Sequence, residues 1–237
     1  MLIAVINEST LVTNAQCETM CAAIQVQLDL HVLPAWNMKA ATITFYANKA
    51  QVPGYAWVVS MLDNTTQAGA LGYHEEDNDV VDAFIFAEPV LQNGGAVMLY
   101  TNPTQYLVSA TLSHEVCEMI GDRFANAFVV GVNGTTLYCQ ELCDPVEDGT
   151  YAITVAGQAI GVSNFIFPSW FNPEAKNPQN MPYDYMKVLT APFTMTSGGY
   201  IIEATFSNET SVTTQKKFGA TMPQWRKDVV NGVYYRR

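Results

Sequence analysis

Apolar residues run unbroken over residues 2–6, the pattern of a short buried strand. Beyond a turn at residues 7–10 the period lengthens. Met20, Ala23, Ile24 and Leu28 recur at helical spacing, with Thr13 or Asn14 placed to cap. This predicts a helix to about His31, a capping or packing histidine, with Pro34 as its stop. Residues 41–47 and 55–62 read as strands, residues 68–74 as a small-residue link and residues 75–79 as a solvated acidic loop. Residues 83–87 form another strand, which Pro89 marks as an edge or an end. As an edge it could pair with an extended peptide. Residues 97–100 supply one more short strand.

A second helix follows. Leu107, Ala110, Thr111, His114 and Glu118 lie on one stripe, and Leu112, Val116 and Met119 on the neighbouring, core-facing one. Asn102, Pro103 and Gln105 offer a cap, a first-turn proline and a glutamine three after the cap. After Gly121 the period shortens to that of strands at residues 125–132, 135–142, 151–155 and 160–163, with turns at Asn133-Gly134, Asp148-Gly149 and Gly157. The aromatic run at residues 165–171 suits core or a pocket wall, and residues 172–182 a Pro- and Asn-rich loop. Residues 200–206 and 211–215 form a hairpin turning at 207–209, and the tail from Lys216 is irregular. The pattern predicts an α+β fold: a mixed sheet with two principal helices, then a β-rich C-terminal half. It forms one domain, 1–237, with subdomains 1–122 and 123–237.

Candidate chemistry concentrates between Ser113 and Asp122. On a helix, His114 and Glu118 share a face, Glu115 sits beside them, and Asp122 lies one turn on. An imidazole, a carboxylate on the same face and a spare glutamate are what a metal-assisted hydrolase uses, although an i, i+4 His–Glu pair also suits an exposed surface. A second acidic group is Glu141-Leu142-Cys143-Asp144-Pro145, where Glu141 and Asp144 need a kink to converge and Asp144 also suits a simple turn before Pro145. Tyr183 and Tyr185 could donate to a substrate oxygen.

Composition narrows the partners. A formal charge of −11 excludes sequence-independent nucleic-acid binding, which needs a basic face. The basic residues Lys216, Lys217, Arg226, Lys227, Arg236 and Arg237 crowd the C-terminal end; they could dock on an acidic partner or on this protein's own acidic body, and an ordinary solubilising end is the reading we favour. With only 14% charged residues and abundant aromatics, an oligomer or a large core is expected. Five cysteines without framework spacing point to reduced, packed thiols inside a cell. No signal peptide and no membrane-spanning run is visible, so the expected location is cytoplasm or virion.

The chain resembles a family of bacterial and tailed-phage proteins with little assigned biochemistry. The resemblance runs almost end to end. It is carried by Pro34-Ala35-Trp36, Leu71-Gly72-Tyr73-His74, Ser113-His114-Glu115-Val116 with Glu118 and Asp122, Glu141-Leu142-Cys143-Asp144-Pro145, Val162-Ser163-Asn164-Phe165 and Gly198-Gly199-Tyr200. The family pattern has Pro after Asp122, where this chain has Arg123. More widely, His-Glu-x-x-Glu on a helix behind a sheet resembles the catalytic half of zincin metallopeptidases. The resemblance implies a zincin-like fold, zinc or another divalent ion, His114 and Glu118 as ligands and Glu115 as general base. It further implies Glu141 or Asp144 as third ligand, and Asp122 as a supporting or alternative one. Two functions follow as expectations. One is a hydrolase of peptide or protein substrates. The other is a virion or assembly component, contacting other virion proteins, that keeps the fold with a structural or vestigial metal site.

Overall fold

The computed structural model describes residues 1–64, 70–77, 80–131, 133–172, 182–208, 211–224 and 226–227. Strand β1 (Leu2–Asn7) sits between β2 (Thr42–Tyr46) and β3 (Trp57–Leu62), parallel to both. β5 (Val80–Phe86) continues the parallel set beside β3, and β4 (Gly72–Asp77) closes the sheet as its one antiparallel member, in the order β2-β1-β3-β5-β4. Parallel neighbours need crossovers, and these runs are apolar through β1 because both faces are covered.

Helix α1 (Asn14–Gln27) opens on a capping box, with Thr13 Oγ1 accepting from Gln16 N and Gln16 Oε1 accepting from Thr13 N. Pro34 does not stop it. The helix loosens into a π-type turn at Leu28–Val32, and Pro34 falls in the first turn of α2 (Leu33–Ala35), where a missing amide costs no hydrogen bond. Pro89 likewise lies inside α3 (Ala87–Gln92). β5 is therefore no edge: β3 and β4 flank it, and the edge beside it is β4.

Helix α4 (Val108–Gly121) starts later than Asn102 suggested. Asn102 caps a preceding turn through Thr104 N, and residues 97–100 form isolated bridges rather than a strand. Leu112, Val116 and Met119 are fully buried, as their stripe predicts. β8 (Thr150–Val155) and β9 (Gln158–Ser163) make a hairpin that lies across α1 and α4, and this joins the two halves of the chain. A closed polar circuit pins the join: Gln27 Nε2 donates to Ser163 O, Ser113 Oγ to Gln27 Oε1, and Ser163 N to Ser113 Oγ. Buried polar groups satisfied in this way fix the rotation of α4 about its axis.

The rest is an antiparallel sheet, β11-β10-β7-β6, built from β6 (Phe128–Val130), β7 (Thr136–Cys139), β10 (Tyr200–Asn208) and β11 (Ser211–Phe218). The architecture is α+β, as the pattern predicts. Two expectations change. Residues 72–77 are not link and acidic loop but β4, and Lys216–Phe218 complete β11 rather than opening an irregular tail. Residues 78–79, most of the 172–182 loop, and Arg236 and Arg237 lie outside the described residues.

Candidate metal centre

Helix α4 presents Glu115 and Glu118 inward, both buried, with His114 beside them at the least covered edge of the group. β4 packs on this face of the helix. The close approach depends on Gly72, where a Cβ would fall 2.8 Å from Glu115 Oε1 and 3.0 Å from Thr111 Cγ2. Two residues on, the same strand face delivers His74. Its Nε2 lies 3.1 Å from the Asp122 carbonyl oxygen, which can only accept, so Nε2 carries the proton. Nδ1 is left facing Glu115 Oε2 at 3.5 Å and Glu118 Oε2 at 4.0 Å.

The third contributor is the segment after β7. It kinks at once, with Gln140 Nε2 donating to Gly121 O, Ile166 N to Leu142 O, and a 3₁₀ turn at Asp144–Val146. The kink turns Glu141 and Asp144 inward together. Asp144 both starts a turn and joins the cluster, its Oδ1 being 3.3 Å from His114 Nε2, while Glu118 Oε1 is 3.0 Å from the same nitrogen. Asp122 supports from outside: its Oδ2 accepts from Ala127 N, and its carbonyl orients His74.

Five carboxylates, on Glu115, Glu118, Asp122, Glu141 and Asp144, are thus buried together, none more than 5% exposed. Two carboxylate charges about 4 Å apart repel by about 4 kcal/mol at an effective dielectric of 20, so such a group needs positive charge. Protons supply some of it. Burial pushes Glu118 well above the usual carboxylate range, and Asp144 adds to this against the opposing pull of His114. Burial likewise raises Glu141 to about 8, against His74. Burial alone would lower His74, but Glu115 and Glu141 outweigh it and hold the imidazole up to about 9. His114 is raised in the same way by Glu118 and Asp144.

The donor set suits a divalent ion as well. A tetrahedral ion with bonds of about 2.1 Å spaces its donors about 3.4 Å apart. The His–carboxylate separations here, 3.0, 3.3, 3.5 and 4.0 Å, bracket that value. Asp144 Oδ2 is buried and accepts no hydrogen bond among the described residues. A buried oxygen without a partner calls for a water or an ion. Compared with protein-family models, curated proteins and solved structures, the chain matches none.

Three contributors lie outside the site residues expected from sequence. His74 is one: it stands in the Leu71-Gly72-Tyr73-His74 stretch that carries the resemblance, and it is one of only three histidines in the chain, but no local pattern gives it a role. Lys216 and Arg226 are the others. Burial lowers both pKa values, Arg226 to about 10, while Asp144 acts on both in the opposite direction, together with Glu141 on Lys216 and Glu115 on Arg226. Arg226 pairs with Glu147, and Lys217 with Glu203 at 2.6 Å. Arg226 and Lys217 thus dock on the protein's own acidic residues, the alternative that the sequence offered to a solubilising end. Cys143 and Cys139 are buried free thiols that also border the cluster.

The tyrosines do not join it. The Tyr185 hydroxyl lies 3.0 Å from His31 Nε2, and its ring packs on Tyr151 and Phe165. Tyr183 packs in the second hydrophobic cluster around Trp170. The expected oxyanion role departs from this placement, because both side chains are taken up by packing elsewhere. His31, between the Tyr151 and Tyr185 hydroxyls, is a packing histidine as predicted.

A pH dependence follows for metal-free protein. Glu141 and His74 both titrate higher in the folded protein than in the unfolded chain, so the folded state keeps protons that the unfolded chain has released. The Glu141 contribution is complete below its ordinary value of 4.5 and is lost as pH rises through about 8. That of His74 is complete below 6.5 and lost through about 9. In chelator, the melting temperature should fall steadily from about pH 5 to pH 9 by scanning fluorimetry. A rise over that window would contradict these environments.

Gly72→Ala gives a second expectation. The nearest obstacle is the end of the Glu115 side chain, so the carboxylate gives way rather than the backbone. Metal binding should persist while any hydrolytic rate falls roughly tenfold or more, as misplacement of a reacting group by about an ångström does.

Proposed function

We propose that the protein is a metal-dependent hydrolase of metallopeptidase type, acting on a peptide or protein substrate. The observation that carries this reading is the second imidazole. His74 arrives from β4 beside Glu115 and Glu118 and adds an imidazole to the donors that the helix supplies. A divalent ion held there would polarise the scissile carbonyl and lower the pKa of an attacking water toward neutrality. Glu115 is the general base: its carboxylate flanks the donor group and is ready to accept the water's proton. The Asp122 carbonyl fixes the tautomer and orientation of His74. Zinc is the ion implied by the zincin resemblance, and the oxygen-rich donors also suit manganese or ferrous iron.

The burial of the cluster favours a second reading, an assembly protein with a structural ion. Closed sites hold ions for stability, and open sites for chemistry. Turnover of a peptide library by metal-loaded protein separates the two. Hydrolysis that Glu115→Gln removes without loss of metal supports the enzyme. Metal-loaded protein that cleaves nothing and melts sharply lower in chelator supports the structural role.

A further inference from the structure

The donors do not fall into one group. His114, Glu118 and Cys143 bring ligand atoms within 4.8 Å of one another, and so do His74, Glu118 and Glu141, and Asp122, Cys139 and Glu141. The first two groups each hold a single imidazole and share Glu118, and the third holds none. The two oxygens of Glu118 divide the work: Oε1 is 3.0 Å from His114 Nε2, whereas Oε2 faces His74 Nδ1 at 4.0 Å. Asp144 belongs to the first half, with Oδ1 3.3 Å from His114. Glu141 belongs to the second. The two acidic residues that the sequence offered as alternatives for one position therefore serve different halves.

We infer that the cluster is a two-ion centre bridged by Glu118. One divalent ion would be held by His114, Glu118 Oε1 and Asp144, and a second by His74, Glu118 Oε2 and Glu141. The inference deepens the hydrolase reading and rests on it for the presence of metal. A bidentate carboxylate between two ions is the usual means by which protein sites hold a pair about 3.5–4 Å apart. The unpartnered Asp144 Oδ2 is a further donor in the first half, and Cys143 N, donating to Glu118 Oε1 at 3.3 Å, holds the bridge in place. Oxygen-rich ligation with one imidazole per ion fits first-row ions such as Mn²⁺ or Zn²⁺.

The test is a count. Metal-free protein titrated with Zn²⁺ and read by native mass spectrometry should take two ions per chain. His74→Ala and His114→Ala should each retain one, and Glu118→Ala none. A single ion in the parent protein, abolished by either histidine variant, would overturn the pairing and leave the one-ion hydrolase standing. No ion in the parent protein would overturn both. The parent protein loaded with Mn²⁺ needs no variant to fold. Its electron paramagnetic resonance spectrum should be that of an exchange-coupled pair, and an isolated-ion spectrum at saturation would overturn the inference.

Discussion

Glu118→Ala should strip the protein of metal and lower the melting temperature of metal-supplemented protein by roughly 10 °C. Glu118 is common to the two donor groups that hold an imidazole, so its loss leaves neither of them with three ligands. Removing one member of a buried charged group costs about 3–5 kcal/mol. In a chain of this size each kcal/mol moves the midpoint by roughly 2–4 °C. The same substitution in chelator should cost little, because without a cation it removes one of several carboxylates that repel one another. The comparison is made by scanning fluorimetry with and without chelator. An equal loss under both conditions would mean that Glu118 serves packing alone.

Glu115→Gln should reduce hydrolysis by about 10²–10⁴-fold while metal content stays at the parent level, since general-base catalysis contributes about that much. The substitution keeps the side chain's volume and its packing against Gly72, but removes the carboxylate that takes the proton. Rates on a cleaved peptide, alongside metal analysis of the same preparation, separate chemistry from binding. Activity retained in Glu115→Gln would remove Glu115 from the reaction.

Most of the fold could be read from periodicity. β1, α1, the core stripe of α4 and the β8–β9 hairpin follow from where apolar residues recur. The misreadings share a cause. Pro34, Pro89 and Asn102 are local signals whose usual meaning depends on their position within a turn, and that position is set by tertiary packing. β4 was harder still. Gly72-Tyr73-His74-Glu75-Glu76 carries little apolar alternation, and its strand character comes from pairing with β5 and from the small residue that lets it approach α4.

The site divides in the same way. His114, Glu115 and Glu118 were legible because a helix makes i, i+1 and i+4 predictable, and Glu141 and Asp144 because they form an acidic pair beside a proline. His74 lies forty positions before His114, on a strand whose place in the sheet no local pattern gives. Lys216 lies on the last strand and Arg226 beyond it, and no local pattern shows that the fold turns them toward acidic side chains. Tyr183 and Tyr185 had the right chemistry for donors, but their rings are used in packing.

Everything above depends on whether the buried carboxylates and imidazoles hold a cation. Elemental analysis of protein purified without added metal or chelator, by plasma mass spectrometry, tests this most directly. The account predicts a first-row divalent metal at no less than one equivalent per chain, lost on replacing Glu118. Metal-free protein that is fully folded, and that gains neither an ion nor thermal stability when zinc or manganese is supplied, would contradict it.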